Sequence, residues 1–352
     1  MIARYENVII GGGPAGSACA TLCARAGLQT LVLEKAVFPR GKVCGDCINP
    51  GCWPVLDELG VRDEILAAPH APLMRVRFSD PKGLLLTARI ENRIEPGEIA
   101  ISRRLLDDIL LRNAARAGAE VRQGAAVQAI AREGDHWVIK TEGETINAKN
   151  LVAADGRNST VARLLGAAPP ARRDRVALQT YTPDVCNDHA AIHLHILRQG
   201  YCGAAPVGDR LFNVCLVAKP DRMDALKELI GAKFKIPAGQ EWNAIAPLSR
   251  APIGPVHDGV IYTGDAARVV EPFTGEGILY ALRSGALAAR HLVAGTVHEY
   301  AAGHEALYGR RLWINSFARY AVTHQHTGIA ILRVMGFFPS TMQALIKRVT
   351  GA

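Results

Sequence analysis

The sequence is poor in features that define several classes of protein, and each absence narrows what the chain can be. No run of 18 uninterrupted apolar residues occurs, so no segment reads as a membrane-spanning helix. The opening Met1-Ile2-Ala3-Arg4-Tyr5-Glu6-Asn7 leads straight into a strand and lacks the charged segment, apolar run and small-residue cleavage site of a secretory leader. The expectation is a cytoplasmic chain whose eight cysteines are mostly reduced. Basic residues exceed acidic ones, 41 against 33, but the net charge of +8 is scattered, the densest group being Arg172, Arg173 and Arg175. Such an excess reads as solvated surface or as the complement of an anionic ligand, and it argues against nucleic acid as a partner. With 49% hydrophobic and 21% charged residues the chain is far from the composition of disorder, so it can bury a large core. Its 352 residues predict two closely packed lobes.

What is present begins at the first strand. Asn7-Val8-Ile9-Ile10 is a β-branched run suited to a parallel strand buried on both faces, and Gly11-Gly12-Gly13-Pro14-Ala15-Gly16 follows it directly. Gly11, Gly13 and Gly16 have the G-x-G-x-x-G spacing, and the Ala-rich stretch Ser17 to Ala26 reads as a helix that Gly27 ends. The three glycines serve a tight turn, a bare backbone for pyrophosphate, and close packing of helix on strand. A second strand, Thr30-Leu31-Val32-Leu33, ends in Glu34, where a carboxylate can accept hydrogen bonds from a ribose. Strand, glycines, helix, strand and acid together predict a bound dinucleotide.

Two later strand ends point to the same ligand. Leu151-Val152-Ala153-Ala154 runs into Asp155-Gly156, and Val260-Ile261-Tyr262-Thr263 runs into Gly264-Asp265, followed by Pro272-Phe273-Thr274-Gly275-Glu276-Gly277 and a helix to about Val293. Asp265 at a strand end can bond ribityl hydroxyls, while free amides from Gly275 to Ile278, heading a helix, can face an anionic ring.

Taken in order, these elements and the stretch Phe38-Pro39-Arg40-Gly41-Lys42-Val43-Cys44-Gly45-Asp46 resemble the FAD-dependent p-hydroxybenzoate hydroxylase superfamily, and within it most closely the geranylgeranyl reductase-like branch. The resemblance implies an α/β fold: a Rossmann-like FAD-binding domain of glutathione reductase type, an antiparallel-sheet substrate domain, and C-terminal helices. The FAD domain is expected from 1–70, 98–165 and 256–296, the substrate domain from 71–97 and 166–255, and the helical segment from 297–352. It further implies that Gly11, Gly13, Pro14, Ala15, Gly16 and Glu34 hold the ADP half of FAD, Asp265 the ribityl chain, and Gly275, Gly277 and Ile278 the pyrimidine edge of the flavin. Lys35, Asp155, Gly264 and Pro272 adjoin these motifs and count with them as cofactor candidates. Arg103, with Asp107 and Leu110 behind it, matches the family's Arg-x-x-x-Asp-x-x-Leu helix start near the flavin's pyrophosphate or ribityl region; Arg104 is its one-residue-slipped rival, and an ordinary surface Arg is the plain alternative. Only one glycine fingerprint exists, so NAD(P)H is expected as a transient electron donor.

Cys44, Cys47 and Cys52 form C-x-x-C-x-x-x-x-C, open to reading as a redox pair, a metal site or a feature of the family. No fourth ligand lies within the local spacing, so no metal is expected. The family carries Cys-Gly here beside the flavin, which makes Cys44 and Gly45 candidates for the lining of the active site. Cys19, Cys23 and Cys215 read as small core residues. His193 and His195 alternate with Ile192, Leu194 and Ile196 and share one strand face, either as proton-transfer or metal groups or, more plainly, on a solvated surface.

Family relatives carry a Tyr-x-Trp-x-x-Pro stretch over the flavin. Here Tyr201 and Pro206 are kept, while Gly203 stands where the Trp would be. That departure argues against a geranylgeranyl chain, and the absence of the Trp-x-Trp-x-x-Pro of flavin halogenases argues against halogenation. The expected function is therefore an NAD(P)H-driven FAD monooxygenase hydroxylating a hydrophobic aromatic or polyketide-like molecule. The alternatives are a reductase of carbon–carbon double bonds in an isoprenoid or lipid-like substrate, and a non-catalytic flavin-binding accessory protein. The C-terminal segment, with Leu307, Leu312, Ile314 and Phe317 and then Gly328 to Phe338, reads as a helical cover for the substrate pocket. Its alternative is an interfacial helix in peripheral contact with a membrane, Lys347 and Arg348 flanking the apolar stretch.

Overall fold

Alternation along the first strand sets the layers of the fold. The computed structural model describes residues 3–91, 94–170, 175–183, 185–309 and 312–350, apart from the side chains of 84, 85, 339, 342, 346 and 348–350; Arg172, Arg173 and the side chain of Arg348 lie outside the described residues. Strand Ala3–Ile10 is central in a parallel run whose order is Val260–Tyr262, Thr145–Ala153, Ala3–Ile10, Thr30–Glu34, Glu120–Gln123. Ile9 sits in register with Val32 and Val152, and all three point to one side, where helices Pro14–Arg25 and Gly277–Ala294 cover them with Cys19, Ala288 and Ala289. Val8, Leu31, Leu33 and Leu151 point to the other side and pack with Ile146 of the same sheet on Trp137 and Ile139 from an antiparallel extension. Both faces are thus covered, as a parallel sheet of uninterrupted apolar strands requires. Cys19 and Cys23 are fully buried here as the small apolar residues they were expected to be.

Helix Pro14–Arg25 starts with Pro in its first turn and ends before Gly27, which takes φ +83°. Helix Arg103–Arg116 is capped by Ser102, whose hydroxyl accepts the Leu105 amide at 3.4 Å.

The second sheet has the order Asn243–Ile245, Val176–Pro183, Leu211–Ala218, Gly200–Pro206, Ala191–Ile196, Arg75–Asp80, Gly83–Arg89. It is antiparallel except where Ala191–Ile196 runs parallel to Arg75–Asp80, a mixed pairing that the expectation of an antiparallel sheet missed. The reason is topological: the two strands come from segments separated by the return of the chain through the first sheet. One face looks onto a cavity with Val76, Phe78, Leu194 and Ile196. The opposite face carries Cys202, Val214 and Leu216 under helix Met223–Phe234. Helices Tyr300–Gly309, Leu312–Thr323, Gln325–Gly336 and Pro339–Thr350 complete the chain, and Ile331, Leu332 and Met335 close the cavity from that side.

Helices Pro14–Arg25 and Gly277–Ala294 cross so closely that a Cβ on Gly285 would lie 2.1 Å from the Ala15 carbonyl oxygen. Gly285→Ala is therefore expected to lower stability by about 1–3 kcal/mol through overpacking. Chemical denaturation of the purified variant checks this, and an unchanged midpoint would show that the helices do not approach so closely.

Candidate active site

The C-terminal ends of the parallel strands open onto one cavity of about 600 Å³, which continues to the second sheet and the C-terminal helices. Ligands bind at this edge in open parallel sheets because loops and helix starts converge there. Of the eighteen site residues expected from sequence, sixteen line the cavity: Gly11, Gly13, Pro14, Ala15, Glu34, Lys35, Arg103, Asp155, Asp265, Pro272, Gly275, Gly277, Ile278, Cys44, Gly45 and Tyr201. The exceptions, Gly16 and Gly264, are packing glycines. A Cβ on Gly16 would fall 1.9 Å from the Gly11 carbonyl oxygen, and one on Gly264 would meet Ala15 and Ala281 at 3.2 and 3.3 Å. They shape the strand-to-helix turns from behind.

Gly13, Gly45 and Gly277 differ from these two. Their backbone angles suit any residue, and a Cβ placed on each would find a single neighbour within 4 Å among the described residues, an Arg40 nitrogen 4.0 Å from Gly13. Nothing in the protein excludes side chains at these positions, so the bare backbone leaves room for a ligand. The groups around that room suit a dinucleotide. Glu34 is fixed by its own turn, Oε2 accepting the Gly12 amide at 2.7 Å and Oε1 the Ala36 amide at 2.9 Å. Asp155 uses Oδ2 for the Thr160 and Val161 amides at 2.6 and 3.0 Å, while its buried Oδ1 has no partner among the described residues. Arg40, Lys42, Arg103 and Arg157 line the same end, a cationic set matched to a pyrophosphate. Burial, with the repulsion of Arg103 and Arg40, pushes the Lys42 pKa down. Arg103 is held in a fork by Asp107 at 2.6 and 2.7 Å, and Arg40 forms an ion pair with Asp107 at 3.0 Å. Arg103, buried at 8% exposure, is thereby preferred over Arg104, which is exposed. Helix Gly277–Ala294 opens at this end, and its first amides have no intrahelical acceptors.

Where polar and apolar halves meet stands Asp46. Among the described residues it is the one non-glycine at positive φ on the cavity wall, at +61°, held there because its carbonyl accepts the Ile101 amide at 3.0 Å and Oδ2 accepts the Tyr181 hydroxyl at 2.5 Å. Its Oδ1 is buried and has no partner among the described residues. Burial raises the carboxyl pKa to about 7 against the opposing pull of Tyr181 and Arg103. Glu98, on the same wall, is raised to about 8 by burial. Tyr201 is fully buried, sets its ring edge-on to Phe273 at 5.2 Å, and leaves its hydroxyl unpartnered among the described residues.

Several expectations are corrected. His193 and His195 do not lie on a solvated face: His195 packs on Phe234 of helix Met223–Phe234 at 5.5 Å, His193 is buried with Nε2 3.1 Å from the Cys186 sulfur, and both point away from the cavity. Burial lowers the pKa of both, that of His195 to about 3, so they stay neutral. Cys215 is not plain core; it lines the cavity and donates its thiol to the Cys44 carbonyl at 3.0 Å, beside a 2.7 Å bond from Asn213. All eight cysteines are free, burial raises the Cys44 and Cys47 thiols, and no metal-binding cluster exists among the described residues. Cys44 is therefore a neutral thiol in the wall. Sequence reasoning passed over Asp46, although it follows Cys44-Gly45, and Tyr181, which reaches it from a strand 135 residues away without any local signal.

The chain matches the FAD binding domain family over residues 4–210. It is 30% identical over 318 residues to the menaquinone reductase of Mycobacterium tuberculosis, covering 82% of this chain and 76% of the relative. It is 31% identical over 311 residues to digeranylgeranylglycerophospholipid reductase 1 of Methanopyrus kandleri, covering 81% and 79%. In fold it matches PqsL of Pseudomonas aeruginosa, a probable FAD-dependent monooxygenase, with a TM-score of 0.74 at 19% identity over 95% of this chain and 99% of that one. The myxobacterial chondrochloren halogenase CndH gives 0.75 at 25% identity, over 90% and 82%. A non-catalytic accessory role is set aside by these relatives. The glycine cradle, the cationic pocket and the sequence match converge: this chain belongs to the FAD binding domain family, in the geranylgeranyl reductase-like branch of the p-hydroxybenzoate hydroxylase superfamily, and is an FAD-dependent oxidoreductase.

Proposed function

We propose that the chain reduces a carbon–carbon double bond in a bulky, apolar, isoprenoid-like substrate. The observation that carries this reading is Asp46, an acid with a pKa of about 7 on the cavity wall between the polar and apolar halves. Saturating a double bond takes one hydride and one proton. FAD, when bound, supplies the hydride after reduction by a transient NAD(P)H. The proton is the protein's task. In this reading Asp46 donates it from Oδ1, while the Tyr181 hydroxyl holds Oδ2 and fixes the direction of donation. Gly11, Gly13, Pro14, Ala15 and Glu34 hold the ADP half, with Lys35 beside them. Arg103 and Asp155 face the pyrophosphate, Asp265 the ribityl chain, and Pro272, Gly275, Gly277 and Ile278 the ring.

The apolar half excludes water and orients the substrate. Val76, Phe78, Ile192, Leu194 and Ile196 form one wall, and Ile331, Leu332 and Met335 the other. Gly203 lines it where relatives carry Trp, and a Cβ there would first meet Leu194 at 3.5 Å. The missing indole widens the cavity, which suits a ring-bearing or branched substrate better than a slender chain. The reductase relatives support the same direction. Hydroxylation of an aromatic or polyketide-like molecule is the second reading; the room left by Gly203 favours it.

Gly13→Val is expected to fold normally, because the one described neighbour of its Cβ is an Arg40 nitrogen at 4.0 Å, and to lose FAD. Absorbance of the purified variant checks this; a fully yellow protein would refute the cradle. For the chemical step, the reactive form is protonated Asp46, so saturation of a polyprenyl lipid without a quinone ring by pre-reduced enzyme under anaerobic conditions, followed as a gain of two hydrogens in mass, should slow as pH rises through about 7. Asp46→Asn should retain FAD, slow that step by about 10²–10⁴-fold and lose the pH dependence. An unaltered profile would remove Asp46 from the mechanism, and an oxygenated product under air would select hydroxylation.

A further inference from the structure

The net charge that read as scattered is concentrated after all: the 47 residues beyond Glu305 contain no Asp or Glu and six Arg or Lys, so most of the +8 sits in this one segment. The same segment holds every strongly exposed aromatic among the described residues: Trp313 at 52%, Phe317 at 39%, Tyr320 at 49%, Phe337 at 82% and Phe338 at 60%. Elsewhere the exposed large apolar residues are single aliphatics such as Val37 and Leu229. Trp313, Phe317 and Tyr320 follow a spacing of four and three, which makes one stripe along helix Leu312–Thr323. Val334, at 56% exposure, and Phe337 lie three apart at the end of the next helix. The two helices touch backbone to backbone, a Cβ on Gly328 falling 2.3 Å from the Ala321 carbonyl oxygen.

We infer that helices Leu312–Thr323 and Gln325–Gly336, with Phe337 and Phe338, dock on the surface of an anionic lipid bilayer and open the cavity to a substrate drawn from it. Trp, Tyr and Phe beside an acid-free basic segment are the composition of an interfacial anchor. A bilayer supplies both the apolar layer for the rings and the negative headgroups for the cations. Arg333 and Lys347 are tied to Asp80 and Glu91 and help to fasten the segment to the second sheet. No helix among the described residues is long and apolar enough to cross the membrane, so the contact is with one leaflet. Continuity with the cavity gives the contact a purpose. Phe317 is exposed and also lines the cavity, and Ile331 and Met335 line it from the second helix. The exposed patch is thus the rim of the apolar half. This deepens the proposed reduction of a lipid-like substrate and rests on it only for what passes the rim.

The test uses the FAD-loaded full chain without turnover, so its failure is distinguishable from failure of the proposed reaction. Vesicles of equal parts phosphatidylcholine and phosphatidylglycerol should carry the protein upward in a flotation gradient; phosphatidylcholine alone should carry less, and about 0.5 M KCl should weaken binding. Of the four tryptophans, Trp53 and Trp137 are buried and Trp242 is half-buried against the cluster under helix Met223–Phe234, so a blue shift of emission on adding vesicles should come chiefly from the exposed Trp313 and shrink in Trp313→Phe. A Phe337→Ser/Phe338→Ser double variant with unchanged FAD content and melting temperature should bind at least about tenfold more weakly. Absence of flotation with the anionic vesicles, or equal binding by the double variant, would overturn the inference. A dimer that this substitution splits, with no vesicle binding, would overturn it too and assign the face to a second copy of the chain. If the double variant does not fold, the wild-type emission shift and its loss in Trp313→Phe decide the matter.

Discussion

Where Gly285 meets the carbonyl of Ala15, two helix backbones touch with no side chain between them. That contact requires Gly16 and Gly264 as well, because each lies where the same helices and strand ends would otherwise collide. Its effect reaches beyond packing. It sets the first turn of Pro14–Arg25 and the first turn of Gly277–Ala294 at the same cavity, so two sets of unpaired amides face a common ligand from elements 263 residues apart at their starts. The positive ends of both helices would then act together on an anionic cofactor held there.

Charge in the cavity is arranged by the same economy of contacts. Asp107 is fully buried yet holds two arginines, Arg103 and Arg40, so the guanidinium groups stay rigid at the polar end. Asp46 is the opposite case: a carboxyl held by a neutral hydroxyl rather than a cation, in the left-handed backbone conformation that Asp tolerates better than most residues. An unusual backbone conformation and desolvation thus coincide at one residue.

Most of the nucleotide fold was legible because its signals are local. The strand Val8-Ile9-Ile10, the spacing of Gly11, Gly13 and Gly16, and Glu34 at the next strand end each carry their reason within a few residues, and the sixteen cavity residues follow from such motifs. What escaped was non-local. Tyr181 finds Asp46 only through the register of the second sheet. His195 read as solvent-facing because Phe234, which packs on it, lies 39 residues further on, and His193 because its neighbour Cys186 belongs to the loop before the strand. The parallel pairing of Ala191–Ile196 with Arg75–Asp80 has no sequence mark, since alternation is the same in either direction.

The strand order has a consequence for how the molecule comes into being. Ala3–Ile10 is flanked by Thr145–Ala153, which pairs in turn with Val260–Tyr262, and its helix is buttressed by residues up to Ala294. Neighbours in space are therefore distant along the chain, and loop closure must precede the contacts that reward it. The buried half of that first strand, Asn7 to Ile10, gains its full cover only when segments up to Ala294 are in place, so the cofactor site is built from contacts of high sequence separation.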